Sequence, residues 1–267
     1  MAVASINVSA APRVRYVLRL ADTALIHAQR LSEWSGHAPV LEEDIAFSNL
    51  ALDLLGQARA LLTHAAALDG QGHDEDRLAF LREERDFFNL TLVEQPMRRS
   101  SAHAPGGDFA DAVLRNLFVS VWFKLQWQRL RASTDSGLAA IAGKAVKEAR
   151  YHQAHAAQWT VRLGDGSAES GARMRAALAR AWPYTAEMFI DDEVDADAAQ
   201  AGLGPRRSEL RADWRAEIDA VFAEAMLEAP ADTAFVSTGS RGVHSEHLGF
   251  MLAEMQHLQR SFPGGRW

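Results

Sequence analysis

The chain has 267 residues, 48% of them hydrophobic and 24% charged, a composition ordinary for a soluble globular protein. Its net charge of −7, with no block rich in Lys and Arg, argues against a nucleic-acid partner. It has no cysteine, which excludes disulfides, thiolate metal sites, iron–sulfur clusters and cysteine nucleophiles.

Met1 to Pro12 is small and polar, without the apolar core of a signal peptide. No apolar run approaches the roughly 20 residues that span a bilayer. The expected location is the cytoplasm. Residues 1–11 read as a flexible arm, and residues 12–267 as a single helical domain. Pro12 suits a first helical turn. Val14, Val17, Leu18, Ala21, Leu25, Ala28 and Leu31 then recur at helical spacing and predict a helix to about Trp34. After the break at Ser35-Gly36-His37-Ala38-Pro39, a second helix is expected from Leu41 to Leu68. Ile45, Leu52, Leu55, Leu62 and Ala66 lie on its expected apolar face, and Asp69-Gly70 ends it.

A short helix over about Glu75 to Arg85 and an apolar Phe87-Phe88-Asn89-Leu90 follow. The segment Met97 to Gly107, rich in Ser, Pro, Gly and Arg, reads as a mobile loop. Asp108 is a good N-cap for a third long helix from Phe109 to Ala132. The fourth long helix spans Leu138 to Leu163. A fifth begins after Ser167 and must kink or stop near Trp182-Pro183. Pro205 to Leu227 and Glu246 to Arg260 read as the last two, and no stretch alternates as a strand would.

Helices of roughly 25 residues exceed the globular mean of about 11–12. Two closely linked helix pairs, joined by one connection of about 40 residues, match a ferritin-like four-helix bundle with additional C-terminal helices. That fold builds di-iron sites from Glu on two helices and Glu-x-x-His on the other two. The one literal Glu-x-x-His is Glu254 to His257, outside the four long helices and without a second copy. His244-Ser245-Glu246-His247 is dense in ligand types, but Ser245 as cap with Glu246 in the first turn explains it better. On the fourth helix Glu148 stands four residues before His152, and Ala149 stands three before it. Asp53 and Gln57 lie one turn apart on the second helix, as either a partly polar interior site or an exposed edge; the interior reading is preferred and would let Asp53 meet His152 across the bundle. Lys144 or Lys147 is a further candidate partner for Asp53. His27 and His64 read as single core or surface histidines. Nucleotide-binding glycine loops and Gly-x-Ser-x-Gly are absent. The seven tryptophans suit a core or an interface equally.

Several longer stretches share one resemblance. Arg30-Leu31-Ser32-Glu33-Trp34-Ser35-Gly36-His37-Ala38-Pro39, Leu52-Asp53-Leu54-Leu55-Gly56-Gln57-Ala58-Arg59 and Lys147-Glu148-Ala149-Arg150-Tyr151-His152 resemble the C subunits of bacterial ring 1,2-phenylacetyl-CoA epoxidases. So do Glu83-Glu84-Arg85, Val93-Glu94-Gln95-Pro96 and the stretch from His247 to Gln256, so the likeness covers about residues 12–267. The resemblance implies a ferritin-like, non-catalytic subunit that pairs with and stabilises the oxygenase (A) subunit in aerobic phenylacetate breakdown. It implies no cofactor on this chain, a di-iron centre in the oxygenase subunit, and flavin with an iron–sulfur cluster in a reductase. A homodimer is the expected state alone, if any.

In that frame the catalytic subunit's first-helix glutamate falls at Ala24. Its second-helix Glu-x-x-His falls on Leu54 and Gln57, with Asp53 one residue out of register. On the fourth helix the glutamate falls on Ala149, and only His152 is retained. The rival expectations are a di-iron monooxygenase in its own right and a free-standing iron-binding ferritin-like protein or small-molecule binder.

Overall fold

Pro12 opens α1 (Pro12–Ser32), where a missing N–H costs nothing. In this computed structural model, which describes residues 5–97 and 108–265, α1 lies against α2 (Leu41–Asp69). Gly70, at φ +68°, ends α2 in the left-handed conformation glycine favours. Asp108 caps α5 (Phe109–Leu130), accepting from Ala110 N at 2.9 Å, while Asp111 accepts from Asp108 N at 2.8 Å. Asp135 caps α6 (Ser136–Gly164) through Leu138 N at 3.0 Å.

α1 with α2 and α5 with α6 form two helical pairs, which meet along the α2–α6 seam. Cross-links along the seam fix its register. Glu43 meets His155, Asp53 meets His152, Gln57 meets Glu148 and His64 meets Asp135. Numbers rise along α2 as they fall along α6, so the two run antiparallel. Ala142, Ala145, Ala149 and Ala156 face inward on α6, and small side chains let it approach α5 closely.

The long connection carries α3 (Glu75–Phe80) and α4 (Thr91–Glu94), with a 3₁₀ turn at Glu84–Asp86. Beyond the bundle come α7 (Ala168–Ala181), a 3₁₀ segment Trp182–Phe189, α8 (Glu193–Gln200) and α9 (Arg211–Glu224). The chain closes with α10 (Glu246–Met255) and α11 (His257–Ser261). α7 and α9 cover α5, which is buried on nearly every side and encloses Arg115, Asn116, Ser120 and Gln126 beside its apolar residues. Trp34, Trp122, Trp127, Trp182 and Trp214 are core residues, Trp159 is half-buried, and Trp267 lies outside the described residues. Among the described residues there is no strand, only an isolated bridge between Thr238 and Val243.

Several expectations need correction. Ile45 and Leu52 do not face the core but are 52% and 64% exposed; Leu50, Leu54, Ala58, Leu61 and Ala65 point inward instead. α2 is apolar around most of its circumference, so periodicity alone does not fix its buried face. The helix expected over Glu75 to Arg85 stops at Phe80, because the Arg82 side chain turns back onto the Leu78 carbonyl and on to Asp22. The helix expected over Glu246 to Arg260 breaks at Gln256, whose amide Nε2 donates to the Arg82 carbonyl at 3.1 Å. Helix 205–227 begins as a 3₁₀ turn at Arg207–Leu210, and α4 and α8 were not expected at all. Of residues 5–11, Ile6 N donates to Leu81 O at 3.1 Å and Ser9 N to Asp69 Oδ1 at 2.7 Å. The loop expected over Met97 to Gly107 lies outside the described residues beyond Met97.

Candidate functional site

Where a ferritin-like bundle holds metal, four helices turn side chains toward one small space. Here α1 supplies His27, α2 Leu54 and Gln57, α5 Asn116, Val119, Ser120 and Phe123, and α6 Ala149 and His152. They close on it so tightly that no cavity of water size is left. Ala24 is fully buried on α1, one turn before His27. None of the lining side chains is a carboxylate.

Burial pushes His27 down to about 3, aided by the nearby charge of Arg115. The ring is therefore neutral, and its Nε2 donates weakly to Asn116 Oδ1 at 3.4 Å. His152 is likewise 2% exposed, and burial lowers its pKa despite the adjacent Asp53 carboxylate. Its Nε2 lies 3.1 Å from Asp53 Oδ2. A carboxylate only accepts, so Nε2 carries the proton.

Sequence reasoning placed Asp53 opposite His152, and they do meet, but at the rim. The Asp53 side chain is 42% exposed while His152 is enclosed. Asp53 has no lysine partner; Lys144 lies 3.8 Å from Glu148 instead. Glu148 accepts from Gln57 Nε2 at 2.9 Å. One turn further, His155 Nε2 is 2.8 Å from Glu43 Oε2, a pair that sequence reasoning missed. Its signal was present: Glu148, His152 and His155 stand at i, i+4 and i+7, one face of a helix. The seam thus alternates acid, histidine and amide in pairs.

The remaining candidates do not converge. His244 is enclosed; its Nε2 donates to Phe87 O at 2.8 Å and its Nδ1 lies 3.3 Å from Glu94 Oε2. Burial alone would lower its pKa, but the Glu94 carboxylate and the Phe87 carbonyl raise it. His247 points elsewhere, 3.9 Å from Glu246, and its backbone N donates to the Ser245 cap at 3.4 Å. Glu254 and His257 are both exposed and lie on different helices. Among the described residues, no three His, Asp or Glu side chains are grouped to hold a metal ion.

A di-iron pair requires several carboxylates to balance its charge, and their mutual repulsion in turn requires the metal. The donors present are one enclosed histidine committed to Asp53, a second committed to an amide, and neutral amides. They do not fit such a centre.

Outward from the seam, among charged residues such as Lys144, Lys147 and Arg150, several large apolar side chains are exposed. Leu41, Ile45, Leu52 and Tyr151 are 71%, 52%, 64% and 58% exposed, with Val40 beside them at the start of α2. Tyr151 packs toward His155, so this stripe borders the polar pairs directly.

An antiparallel bundle with one long crossover defines a ferritin-like helical protein. Its fold is similar to that of a solved structure from Synechococcus, a protein with aldehyde deformylating oxidase activity. The TM-score is 0.55 at 19% identity, over 83% of this chain and 94% of the other. The sequence from residue 2 to 267 matches the model of the phenylacetic acid catabolic protein family, and the chain belongs to that family. It is 49% identical, over 94% of its length and 98% of the relative's, to the C subunit of the 1,2-phenylacetyl-CoA epoxidase of Escherichia coli (strain K12).

Proposed function

We propose that this chain is the non-catalytic structural subunit of a phenylacetyl-CoA epoxidase, pairing with and stabilising a di-iron oxygenase subunit in phenylacetate catabolism. The interior carries the reading. The space where this fold would gather carboxylates around metal is filled by Leu54, Gln57, Asn116, Phe123 and Ala149. On this reading Ala24, Leu54, Gln57, Ala149 and His152 are the relics of a ligand set. Asn116 and Ser120 mark where α5 once contributed, and Asp53 has become a rim partner of His152.

The di-iron centre then sits in the oxygenase subunit, and the flavin and iron–sulfur groups in a reductase. A cytoplasmic site of action accords with the lack, among the described residues, of any helix long and apolar enough to cross a membrane. Pairing is bundle against bundle. The exposed stripe of Leu41, Ile45, Leu52 and Tyr151 supports the α2–α6 face as the contact, since exposed apolar patches of this kind mark interaction sites.

Co-expression with the oxygenase subunit tests both parts. Iron is expected only in the pair, and the Leu41→Asp, Leu52→Asp double variant is expected to fold normally yet lose the partner. Burying a leucine fully is worth about 1.5–3 kcal/mol, so losing two weakens pairing by roughly a hundredfold or more. Stoichiometric iron on the isolated chain, lost on His152→Ala, would establish the rival di-iron reading. Turnover of phenylacetyl-CoA by the chain and a reductant alone would do the same.

A further inference from the structure

Near the start of α5, away from the packed waist, a cavity of about 180 Å³ opens between α4, α5 and α7. Arg115, Arg180, Gln95 and His247 supply its polar wall, together with Asp111, whose carboxylate is held by Arg180. Leu92, Pro96 and Tyr184 supply an apolar one.

Arg115 is the unusual member. It is 4% exposed, and neither its Nε nor its Nη1 has a hydrogen-bond partner. No ion pair within 4.0 Å joins it to any described carboxylate. Burial, and then the neighbouring charge of Arg30, push its pKa down to about 10, so it is still a cation at neutral pH. The two acids near it are already engaged. Asp111 accepts from Arg180 Nε and Nη2 at 2.9 and 2.8 Å and from Asp108 N at 2.8 Å. Glu33 accepts from Arg30 Nη1 at 2.6 Å. Residues 98–107 contain no Asp or Glu.

Arg30 and Arg180 are thus held by Glu33 and Asp111, while Arg115 makes no ion pair with a described carboxylate and stands beside the cavity. We propose that this cavity is a binding site for a small organic carboxylate, its acid group received by Arg115 and its apolar body lying against Leu92, Pro96 and Tyr184. A monoanion matches the single unpaired guanidinium, whereas a phosphate carries more charge than one guanidinium offers. A guanidinium N–H donating to a carboxylate is among the stronger hydrogen bonds, and Nη2 is the Arg115 nitrogen left to make it. The volume is adequate for a ring, since a cavity of about 150 Å³ already accepts benzene.

Benzoate is the probe. The full chain is titrated calorimetrically and by thermal melting with sodium benzoate, sodium acetate and sodium sulfate at equal ionic strength. Saturable one-to-one binding of benzoate, with acetate weaker and sulfate without specific effect, is the expected result. Arg115→Gln should weaken benzoate by roughly ten- to a hundredfold, the equivalent of one charged hydrogen-bonded contact. Arg180→Gln should weaken it less. Benzoate acting no differently from sulfate on the unmodified chain overturns the proposal, whether or not Arg115→Gln folds. So does undiminished benzoate binding in a folded Arg115→Gln chain. If no free acid binds but Arg115→Gln abolishes capture of the oxygenase subunit, the occupant is a partner's acidic side chain, and the free-acid site is likewise refuted.

Discussion

Replacing Ala149 by Glu restores to α6 the carboxylate that a Glu-x-x-His motif with His152 would require. Ala149 is 2% exposed and faces Leu54, Gln57, Phe123 and His152 across a space too small for water. The added methylene and carboxyl group must displace packed side chains, which costs about 1–3 kcal/mol. The new carboxyl also finds few donors, the Asn116 amide Nδ2 being the free one in that space. His152 already gives its Nε2 proton to Asp53, and Gln57 gives its amide to Glu148. An unsatisfied buried polar group adds about 1–3 kcal/mol. The sum of about 2–6 kcal/mol lowers the melting temperature by roughly 10 °C, at about 2–4 °C per kcal/mol for a chain of this size. Circular dichroism melts of the Ala149→Glu chain measure it, with Arg150→Glu on the exposed side of the same turn as control. That control should stay within about 0.5 kcal/mol of the parent. A melt of Ala149→Glu within about 2 °C of the parent would refute the packed-interior argument. Recovery of several degrees on adding ferrous iron would refute the claim that the remaining donors do not suit a metal.

Three further outcomes follow from buried polar groups and a strained turn. His27 is held neutral down to about pH 3, while the unfolded chain protonates its histidine near 6.5, so the unfolded state binds more protons between those values. Stability from this residue is therefore full above about pH 6.5 and falls by about 1.4 kcal/mol per pH unit below it, and urea titrations of His27→Leu should show a correspondingly flatter pH dependence. Asp22 and Arg82 form an ion pair with both side chains fully enclosed, and Asp22 also accepts from Phe88 N at 2.9 Å. Asp22→Ala strands a buried guanidinium and is expected to cost about 3–5 kcal/mol in urea denaturation, a loss under 1 kcal/mol contradicting the pairing. Gly242 has φ +81°, and a Cβ there would stand 2.5 Å from the Arg85 carbonyl oxygen. Gly242→Ala should destabilise the chain by at least about 1 kcal/mol and speed proteolysis of the C-terminal segment.

The four long helices were legible because caps and breakers bound them. Pro12, Asp108 and the Asp69-Gly70 stop act within a few residues, and the structure keeps each near its expected place. The face of α2 was not legible. Ile45 and Leu52 are as apolar as the buried Leu50 and Leu54, and periodicity does not separate a core face from an uncovered one. The break at Gln256 and the early end of α3 depend on Arg82, whose contacts reach α1 and the C-terminal helices. No local pattern announces a side chain that acts across such sequence separations. Of the central residues, the spacing on α6 placed His152 opposite Asp53. Asn116 and Ser120 were not legible, because neutral side chains on a largely apolar helix carry no metal-ligand signature.

Buried carboxylates have not vanished from this protein; they are gathered near the C-terminal segment and neutralised differently. Asp22, Glu94, Glu187 and Asp195 are all 2% exposed or less. Asp22 is paired by Arg82, and Asp195 by Arg19 and Arg207. Glu187 accepts from Thr91 N, Ser237 Oγ and Ser240 N at 2.9, 2.7 and 2.7 Å. Glu94 accepts from Ser245 N at 3.1 Å and faces His244. For Glu94 and Glu187 the donors lie largely on residues 237–245, and Arg19 of α1 adds a bond to the Ser240 carbonyl at 3.0 Å. Glu94 and Glu187 therefore fasten residues 237–245 to α4 and the 182–189 turn, Asp195 ties α8 to α1, and Asp22 ties α1 to residues 82–88. Because removing one partner strands a buried charge, these contacts resist being broken singly. A bundle whose waist holds no metal still has ionic cross-links, but they are guanidinium and backbone N–H contacts at the place where the C-terminal elements dock.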